Sequence, residues 1–464
     1  MLLEKKLIEE LLDAGLTRGA DFSEVFVEDT NMTTLQSMSG RLEKVNSNKQ
    51  FGVGIRLAKK FQIVYGYTNS KDPKELLKLA DDLSKSFTAD ELTKRLPLQE
   101  LEVGKRHGVK IKPSDVSLAA KVAYMKKASK AAAAYDEVIK QVIVGIGDSE
   151  QTVLIANSEG RFVTETRVRV RISINTVASR DGEMQTGGEA PGSGKGYEYL
   201  FKEIDIEEYA ISAAKIAVAM LNAEECPGGV MPVVIHNGFG GVIFHEACGH
   251  PLEASSVAKN ASVFCGKMGE KVASDIVTAI DDGTLENSWG SANFDDEGYP
   301  QQRRVLIEKG VLKSYMVDKI NGRRMETEPT GSSRRQNYKF APISRMSNTY
   351  IDNGESTVEE IIAATEYGLF AKKLGGGSVN PGNGDFNFAV MEGYMIRDGK
   401  IAEPVRGASI VGNGGNILYK IDMIANNLDS ARGMCGSASG AIPADVGQPT
   451  LRVTGVTVGG KRGA

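Results

Sequence analysis

The amino-acid sequence predicts an α+β protein with two unlike halves. In the N-terminal half, segments with apolar residues at helical spacing alternate with segments rich in β-branched and aromatic residues. In the C-terminal half, glycine and short strand-like segments dominate. These observations predict an N-terminal α/β half, residues 1–225, with an antiparallel sheet and flanking helices. They predict a mostly antiparallel β domain for residues 226–464, which carries a helix with two histidines.

The first elements alternate between helix and strand. An amphipathic helix is predicted over residues 2–14, with Gly15 as its C-cap. Strands are predicted at residues 21–30, 33–45 and 51–69. The last of these segments should fold into a hairpin at Lys59-Lys60, and a second helix is predicted over residues 73–86.

A charged segment without periodicity, residues 91–112, is expected to form a connector at which the N-terminal half could divide. A helix over residues 114–134, strands over 137–180 and a helix over 205–223 are predicted to follow. The stretch "TETRVRVRISINTVASRDGEMQTGG" alternates strictly between apolar and polar residues. This alternation is typical of an antiparallel strand with one exposed face.

The C-terminal half is predicted to consist of short strands joined by tight turns. A buried strand over residues 230–236 precedes an Asn237-Gly238 turn and the helix with the histidines. Two hairpins are predicted with Lys309-Gly310 and Asp398-Gly399 at their bends. One further helix is predicted near residues 356–367.

The composition argues against several classes of protein. A net charge of −4 leaves no basic field for nucleic acid, and paired arginines such as Arg334-Arg335 are expected on solvated faces. The N-terminus lacks the apolar run of a signal peptide, and no segment has the length of a membrane span. The four cysteines are too few and too scattered for a disulfide framework, so a cytoplasmic, reduced protein is expected.

Two of the four histidines lie in "GVIFHEACGHPLEA", residues 241–254. His245 and His250 would lie about 140° apart around a regular α-helix, which is too far apart to bind one ion. Gly249 and Pro251 flank the second histidine, and both favour an irregular backbone. A π-turn would return residues five positions apart to one face, so a metal site is compatible with this spacing.

Glu246 directly follows the first histidine, where its carboxylate could lean towards the open side of a metal and accept a proton from water. A catalytic zinc site needs a third protein ligand. From the residues alone, Cys435 and Glu253 are equal candidates, Cys265 is a further one, and Cys248 is expected to face away from both histidines. The alternative without a metal is a pair of histidines that bind backbone groups at a helix end.

Several segments resemble the TldD/PmbA family along the whole C-terminal half: "FHEACGHPLE", "DDGTLENSWGSANFDDEGYPQQRRVLIEKGVLKSYMVDK", "PVRGASIVGNG" and "GMCGSASGAIPADVGQPTLRVTGVTVGG". The metal motif marks the TldD-like branch, whereas the PmbA-like (TldE-like) branch lacks it. The resemblance implies a zinc metallopeptidase in which His245, His250 and Cys435 hold Zn²⁺ and Glu246 is the catalytic base. It also implies an assembly with a PmbA/TldE-like subunit or a second copy of the chain. Such an assembly would enclose the site and admit only peptides or unfolded polypeptides.

The chain departs from the family pattern after the late cysteine. The family segment usually reads Cys-Gly-Lys-x-Gly-Gln, whereas residues 435–440 here are Cys-Gly-Ser-Ala-Ser-Gly. A lysine and a glutamine are missing, so no substrate contact from those two positions is implied.

Other segments have competing interpretations. The acidic "FDDEGYP", residues 294–300, could bind Ca²⁺ but lacks EF-hand spacing, so a turn before a strand is favoured. "PGSGKG", residues 191–196, is similar to a nucleotide-binding P-loop, but Glu189 and Gly196 depart from the pattern and a flexible hairpin tip is favoured. The glycines Gly375, Gly376 and Gly377 could let an extended peptide substrate pass close to the backbone, or they could form a plain loop.

The sequence is therefore compatible with three functions. The first is a zinc-dependent peptidase in peptide maturation or degradation. The second is a non-catalytic metal-binding or regulatory subunit with a closed structural zinc site, which a fourth ligand such as Cys248 or Glu253 would indicate. The third is a nucleotide-dependent protein that works through residues 187–196.

Overall fold

The computed structural model describes residues 2–88, 92–104, 106–379 and 384–461. It confirms the α+β class, with an antiparallel sheet and flanking helices in the N-terminal half and a strand-rich C-terminal half. None of the helices within these ranges combines the length and the apolar character that a bilayer crossing requires. The division of the chain after residue 225 stays a prediction.

The elements follow one another along the chain in three groups. The α-helices of the described residues are α1 (Lys5–Leu16), α2 (Pro73–Ser84), α3 (Leu118–Ala133), α4 (Ile206–Leu221), α5 (Val242–Phe244), α6 (Ala254–Val257), α7 (Lys319–Met325), α8 (Val358–Ala363) and α9 (Gly414–Ile417). The strands of the N-terminal half are β1 (Phe22–Met38), β2 (Arg41–Lys59), β3 (Gln62–Thr68), β4 (Gln99–Glu100), β5 (Ile139–Asn157), β6 (Arg161–Arg180), β7 (Glu183–Glu189) and β8 (Gly192–Ser193). The later strands are β9 (Glu224–Glu225), β10 (Gly229–Ile235), β11 (Ala279–Asp282), β12 (Arg303–Glu308), β13 (Val311–Leu312), β14 (Ser333–Arg334), β15 (Ile343–Ser344), β16 (Asn348–Ile351), β17 (Tyr367–Val379), β18 (Asp385–Arg397), β19 (Lys400–Arg406), β20 (Ser409–Asn413), β21 (Ile421–Ile424), β22 (Asp429–Ser437), β23 (Gly440–Gln448) and β24 (Leu451–Gly459).

The first eight strands form one sheet in the order β3-β2-β1-β5-β6-β4, with β7 and β8 also paired to β6. Neighbours run antiparallel except for β4 and β6. The predicted hairpin at Lys59-Lys60 is confirmed within one residue, because Lys60 has a φ of 55° between β2 and β3. The single strand predicted over residues 33–45 is wrong. A tight turn at Ser39-Gly40, with φ of 46° and 79°, divides it between β1 and β2.

Helix α1 lies so close to this sheet that Gly15 has no room for a side chain. A Cβ atom at Gly15 would lie 2.5 Å from Leu57 Cδ2. The helix continues to Leu16 and its C-cap is Thr17, so the prediction of Gly15 as the cap is wrong. The glycine is required by the close approach of the helix to the sheet, which is a tertiary cause.

Each face of the first sheet is buried over part of its area, whereas the first half of β2 is exposed. On one face, α1 and α2 pack against residues such as Val25, and α3 and α4 pack against residues such as Val144. On the other face, Phe26 contacts a cluster that contains Phe294 and Tyr338 of the C-terminal half. The alternation of side chains along β1 places Val25 and Phe26 on opposite faces. The sheet therefore lies between its own helices and the C-terminal half.

Five strands of the C-terminal half close into a barrel. They follow the order β17-β10-β24-β20-β18, and β18 pairs back onto β17. A further sheet has the order β13-β12-β11-β16-β23-β22. Both are antiparallel except for the pairs β10–β17 and β16–β23, which confirms the mostly antiparallel character predicted for this half. One continuous core joins Val233 and Phe388 of the barrel, Phe244 of α5 and Val446 of β23, so the segment with the histidines is held from both sides.

A buried charge layer lies between the first sheet and the C-terminal half. Its members are Glu24, Arg56, Arg167, Asp295, Asp296, Glu297 and Arg335. Arg56 Nη2 donates to Glu24 Oε2 and to Glu297 Oε1, both at 2.6 Å. Arg167 Nη1 donates to Asp296 Oδ1 at 2.6 Å. The carboxylate of Asp295 accepts three backbone N–H groups, from Glu297, Tyr299 and Ser333.

These contacts decide the interpretation of the acidic segment. Phe294 and Pro300 form a β-bridge across a turn before β12, so the predicted turn is confirmed. The carboxylates of this segment bind arginines and backbone N–H groups, and this pairing argues against a Ca²⁺ site. The expectation that Arg334-Arg335 lies on a solvated face is wrong, because the two residues are only 6% and 5% exposed.

Candidate metal centre

The two motif histidines lie on an irregular helical segment that follows β10. The segment begins with a 3₁₀ turn over Gly238–Gly241, continues through α5, becomes a π-helix over His245–Gly249 and ends in a 3₁₀ turn over His250–Leu252. The N–H of His250 donates to the carbonyl oxygen of His245, five residues earlier. The predicted π-turn is thus confirmed, and it brings both imidazoles to one face.

The helical segment becomes irregular at Gly249 and Pro251, as predicted, although Pro251 does not move His250 out of the helical conformation. His250 keeps an α-helical backbone with φ of −58° and ψ of −43°, and the chain turns extended only at Glu253. Gly249 has a different structural role. A Cβ atom there would lie 2.2 Å from Met346 Sδ, so the π-helix packs closely against the chain near β16.

Three donor atoms from two distant segments meet in this region. His245 Nε2 lies 3.1 Å and His250 Nε2 lies 3.2 Å from Cys435 Sγ. The three atoms lie within 4.8 Å of one another. The sulfur comes from β22, where Cys435 pairs with Ile442 of β23. This arrangement distinguishes Cys435 from Glu253, because Glu253 Oε1 lies 3.2 Å from the other ring nitrogen of His250, Nδ1.

The pKa values of Cys435 and His250 shift in opposite directions. Burial alone would raise the pKa of the Cys435 thiol, but the charges and hydrogen bonds of His245 and His250 lower its pKa to about 4. Burial would lower the pKa of His250, yet the nearby Glu253 carboxylate and Cys435 raise that pKa well above its ordinary value. Both shifts favour a pair of thiolate and imidazolium: the thiolate is the form of cysteine that binds metals, whereas His250 has to release a proton when its Nε2 binds one.

Glu246 lies at the open side of the group. Its Oε2 is 3.7 Å from His250 Nε2, and its side chain is 30% exposed. His245 and Cys435 are only 2% and 3% exposed. A carboxylate in this place can exchange protons with water beside the three donor atoms.

The remaining histidines and cysteines make other contacts. His236 Nδ1 lies 2.9 Å from Thr450 Oγ1, and His107 Nδ1 accepts a hydrogen bond from the backbone of Asn287. Cys248 faces away from the histidines, as expected, and its Sγ lies 3.6 Å from the carbonyl oxygen of Gly414. Cys265 Sγ lies 3.5 Å from the carbonyl oxygen of Val257. These residues do not join the group of donor atoms in the part of the chain that the structure describes.

A cleft of about 740 Å³ lies between the N-terminal sheet and the C-terminal half. Its walls come from β6, β7, α4, β17 and β22, and they include Gly375, Gly376 and Arg432. Arg432 is three residues before Cys435 on the same strand. The cleft thus runs beside the strand that carries the sulfur, although the donor atoms do not line it. Gly377 is not among the wall residues of the cleft, and a Cβ there would lie 2.2 Å from Phe388 Cδ1. A Cβ at Gly375 would lie 2.7 Å from Met391 Cγ.

The segment that is similar to a P-loop has another structure. Gly192 and Ser193 form β8, which pairs with β6. Lys195 Nζ donates to the Glu203 carboxylate at 2.7 Å. The segment follows β7, while the β6–β7 hairpin turns at Asp181-Gly182, so the expectation of a hairpin tip is wrong. These contacts give a nucleotide-dependent function no support.

Sequence reasoning missed the buried arginine behind the donor atoms. Arg345 is 0% exposed, and its Nη2 donates to the carbonyl oxygen of Cys435 at 2.6 Å. The residue lies between short strands in a segment without a motif. No spacing signal in the sequence distinguishes it from a surface arginine.

Family models match most of the chain. They are described as PmbA/TldA metallopeptidase domain 1 over residues 23–87, the central domain over residues 111–221 and the C-terminal domain over residues 228–460. The C-terminal match contains both motif histidines and Cys435.

Individual proteins extend this similarity. A "Metalloprotease TldD homolog" of Buchnera aphidicola subsp. Schizaphis graminum is 33% identical over 458 residues, which cover 97% of this chain and 95% of that protein. A protein of the same description from Haemophilus influenzae is 39% identical over 346 residues, which cover 73% of this chain and 72% of that protein. The crystal structure of TldE from Thermococcus kodakarensis has the same fold, with a TM-score of 0.78 and 20% identity, over 97% of this chain and 99% of that chain.

Proposed function

Since the chain belongs to the PmbA/TldD family and is a metallopeptidase, we propose that Zn²⁺ held by His245, His250 and Cys435 serves the hydrolysis of peptides or unfolded polypeptides. Glu246 is the catalytic base. The reaction takes part in peptide maturation or degradation in the cytoplasm.

The convergence of three donor atoms carries this proposal. Cys435 is 190 residues from His245 in the sequence, yet its sulfur lies 3.1 Å from Nε2 of that histidine. Two imidazoles and a thiolate form a donor set that suits catalytic zinc, with a fourth position for water or substrate. Within the described ranges, the group contains no fourth histidine, cysteine or carboxylate. This composition favours an open site over a closed structural one.

The residues around the donor atoms would divide the work of hydrolysis. A bound zinc ion supplies Lewis acidity towards water and the peptide carbonyl. Glu246 accepts a proton from the attacking water at a carboxylate oxygen and returns it to the leaving amine. Glu253 holds His250 through Nδ1, which leaves Nε2 directed towards Cys435.

The cleft beside β22 supports the choice of an extended substrate. Apart from the adjoining residues of the chain, the described residues place no heavy atom within 4 Å of the position that a Cβ of Gly376 would take, so a peptide backbone can approach closely there. We assign Gly375, Gly376 and Gly377 to the binding of the substrate backbone. A TldE-like subunit or a second copy of this chain completes the active assembly.

Metal content and peptide hydrolysis, measured together, test the proposal. Purified wild-type protein should contain about one zinc per chain and cleave casein or unfolded peptides. His245→Ala and Cys435→Ala should lose both the metal and the activity. Glu246→Gln should keep the metal while kcat falls about 10²- to 10⁴-fold, because only the proton acceptor is lost.

Cys248→Ala is the matched control, since this buried cysteine lies on the same helical segment but contacts Gly414. It should keep both zinc and hydrolysis. The proposal fails if Cys435→Ala retains zinc and activity, or if Glu246→Gln hydrolyses peptides at the wild-type rate with its metal bound.

A further inference from the structure

Arg345 joins the two strands of the hairpin that carries Cys435. The side chain is fully buried. Its Nη2 donates to the carbonyl oxygen of Cys435 at 2.6 Å, and its Nη1 donates to Ser439 Oγ and to the carbonyl oxygen of Gly440, both at 2.9 Å. Cys435 belongs to β22 and Gly440 begins β23. One guanidinium thus fixes both sides of the turn directly after the sulfur.

The same guanidinium faces the carboxylate that lies behind His250. Arg345 Nε is 3.8 Å from Glu253 Oε1, and that oxygen is 3.2 Å from His250 Nδ1. Glu253 is buried, so its charge depends on nearby positive groups and hydrogen-bond donors. A carboxylate at the second ring nitrogen commonly fixes the orientation of a metal-binding histidine. Arg345 therefore reaches one ligand through a backbone carbonyl and another through Glu253.

The neighbouring residue reaches the histidine segment as well. Met346 Sδ occupies the space beside Gly249, in the π-helix that begins at His245. The backbone N–H of Arg345 donates to the carbonyl oxygen of Ser332 at 2.8 Å, which anchors the pair from behind. Residues 345–346 thus contact both segments that supply the donor atoms.

We propose that Arg345 is a positioning residue that sets the separation between Cys435 Sγ and His250 Nε2, and thereby the affinity and geometry of the metal centre. The inference rests on the proposed function of that centre. A planar fork of donors is required, because a lysine ammonium cannot bind the carbonyl oxygens of Cys435 and Gly440 and also face Glu253 in one fixed geometry. Arg345 acts through these groups and touches none of the reacting atoms.

Metal binding by Arg345→Lys tests the proposal, with Arg335→Lys as the matched control. Arg335 is also buried and also donates to a backbone carbonyl, that of Asp296 at 2.8 Å, but its partners belong to the charge layer. Both variants should lose some unfolding stability. Arg345→Lys alone should bind Zn²⁺ about 10- to 100-fold more weakly than wild type, in competition with a chromophoric chelator. With Co²⁺ as the probe, its thiolate-to-metal charge-transfer band should shift in energy or lose intensity, whereas Arg335→Lys should keep the wild-type band.

A purely structural role for Arg345 predicts another result. The inference is overturned if Arg345→Lys binds Zn²⁺ and Co²⁺ like the wild type, or if Arg335→Lys weakens binding to the same extent. The wild type and Cys435→Ala separate this failure from that of the proposed function. Equal metal binding by those two proteins would contradict the proposed metal centre itself. If Cys435→Ala loses metal binding, the metal centre is supported, and the result for Arg345→Lys then tests only the role of Arg345.

Glu253→Gln provides a second route if Arg345→Lys does not fold. This variant keeps the size of the side chain and leaves Arg345 in place, but it removes the charge between Arg345 and His250. It should weaken Zn²⁺ binding about 10-fold or more and alter the Co²⁺ spectrum. Wild-type affinity and an unchanged spectrum in folded Glu253→Gln would overturn the inference.

Discussion

The metal centre and the buried charge layer are both clusters of ionisable side chains, but they are built in opposite ways. In the layer, acids are matched by arginines and backbone N–H groups: Arg56 bridges Glu24 and Glu297, and Arg167 binds Asp296. In the centre, three donor atoms face one another within 4.8 Å. A cluster that neutralises itself holds the fold together, whereas a cluster of mutually facing donors can bind a cation.

The pKa shifts within the layer depend on how each acid is paired. Burial is the first cause of the raised pKa values of Asp295 and Glu297. Burial raises the pKa of Asp296, but Arg167 and Arg335 outweigh it and lower the pKa below its usual value. The Cys435 thiol has its pKa lowered to about 4, and its partners are histidines, which we propose as metal ligands. An acidic motif in a sequence therefore indicates a cation site only if its carboxylates are not already bound by arginine.

Breaking the charge layer should give the largest loss of stability. Arg56→Met leaves Glu297 buried without its arginine and removes one partner of Glu24, because Arg56 bonds both. The free energy of unfolding should fall by about 3–5 kcal/mol, the usual cost of an unpaired buried charge. Urea unfolding at neutral pH measures the change, and metal content per folded molecule should stay at the wild-type value.

Arg397→Met is the control for this prediction. Arg397 pairs with Glu403 at the surface, where the two side chains are 49% and 35% exposed. Its loss should change the unfolding free energy by no more than about 1 kcal/mol. An equal loss of unfolding free energy in the two variants would show that buried ion pairs of the charge layer stabilise the fold no more than a surface ion pair does. Loss of metal from folded Arg56→Met would show that the two clusters are not independent.

The sequence predicted these two clusters unequally. The spacing of His245 and His250, with Gly249 beside them, was enough to predict the π-turn, since a regular helix would separate the rings. The third donor could not be chosen from the residues alone, because Cys435 reaches the site only through the pairing of β22 with β23. The resemblance to a family pointed to it. The roles of these residues remain predictions that the variants test.

The layer was largely hidden from sequence reasoning for the same physical reason. Arg335 binds Glu24, which is 311 residues away, so no local pattern marks the pair as buried. The class of the fold and most helices and hairpins follow local rules and were predicted. The missed features, such as the tight packing of Gly15 and the turn at Ser39-Gly40, depend on contacts between elements or interrupt an alternation that continues on both sides.

Removing the metal should lower stability by an intermediate amount. Cys435 is 190 residues from His245 and 185 residues from His250 in the sequence, so the three donor atoms meet around one ion in the folded chain and not in the unfolded one. At a free Zn²⁺ concentration 100 times the Kd, bound metal should add about 2.7 kcal/mol to the unfolding free energy. Urea unfolding with Zn²⁺ and with a chelator measures this increment.

Two variants sharpen that measurement. Cys435→Ser should lose most of the increment, because it removes the thiolate from the donor set. Arg56→Met should keep the increment in spite of its lower stability, because the charge layer does not supply a donor atom. The opposite pattern, with the increment kept in Cys435→Ser and lost in Arg56→Met, would assign the metal to the charge layer.

The smallest expected loss of stability comes from disturbing the close packing of the π-helix against Met346. Gly249→Ala would place a methyl group 2.2 Å from the present position of Met346 Sδ. The backbone at Gly249 has φ of −59° and ψ of −54°, which alanine adopts without strain, so any cost comes from packing. Because the methionine side chain can move, we expect a loss of about 1–3 kcal/mol in unfolding free energy. Zn²⁺ affinity should fall with it, since the displaced methionine follows Arg345.

Gly436→Ala tests whether this cost belongs to the packed side of the centre. Gly436 follows Cys435 directly, but in the part of the chain that the structure describes no heavy atom beyond its chain neighbours lies within 4 Å of the position that its Cβ would take. Its effect on unfolding should stay within about 0.5 kcal/mol, as for an unpacked surface position. If Gly436→Ala cost as much as Gly249→Ala, the hairpin with the sulfur would be as tightly constrained as the helix with the histidines. The separation of the donor atoms would then be fixed from the exposed side of the centre as firmly as from residues 345–346.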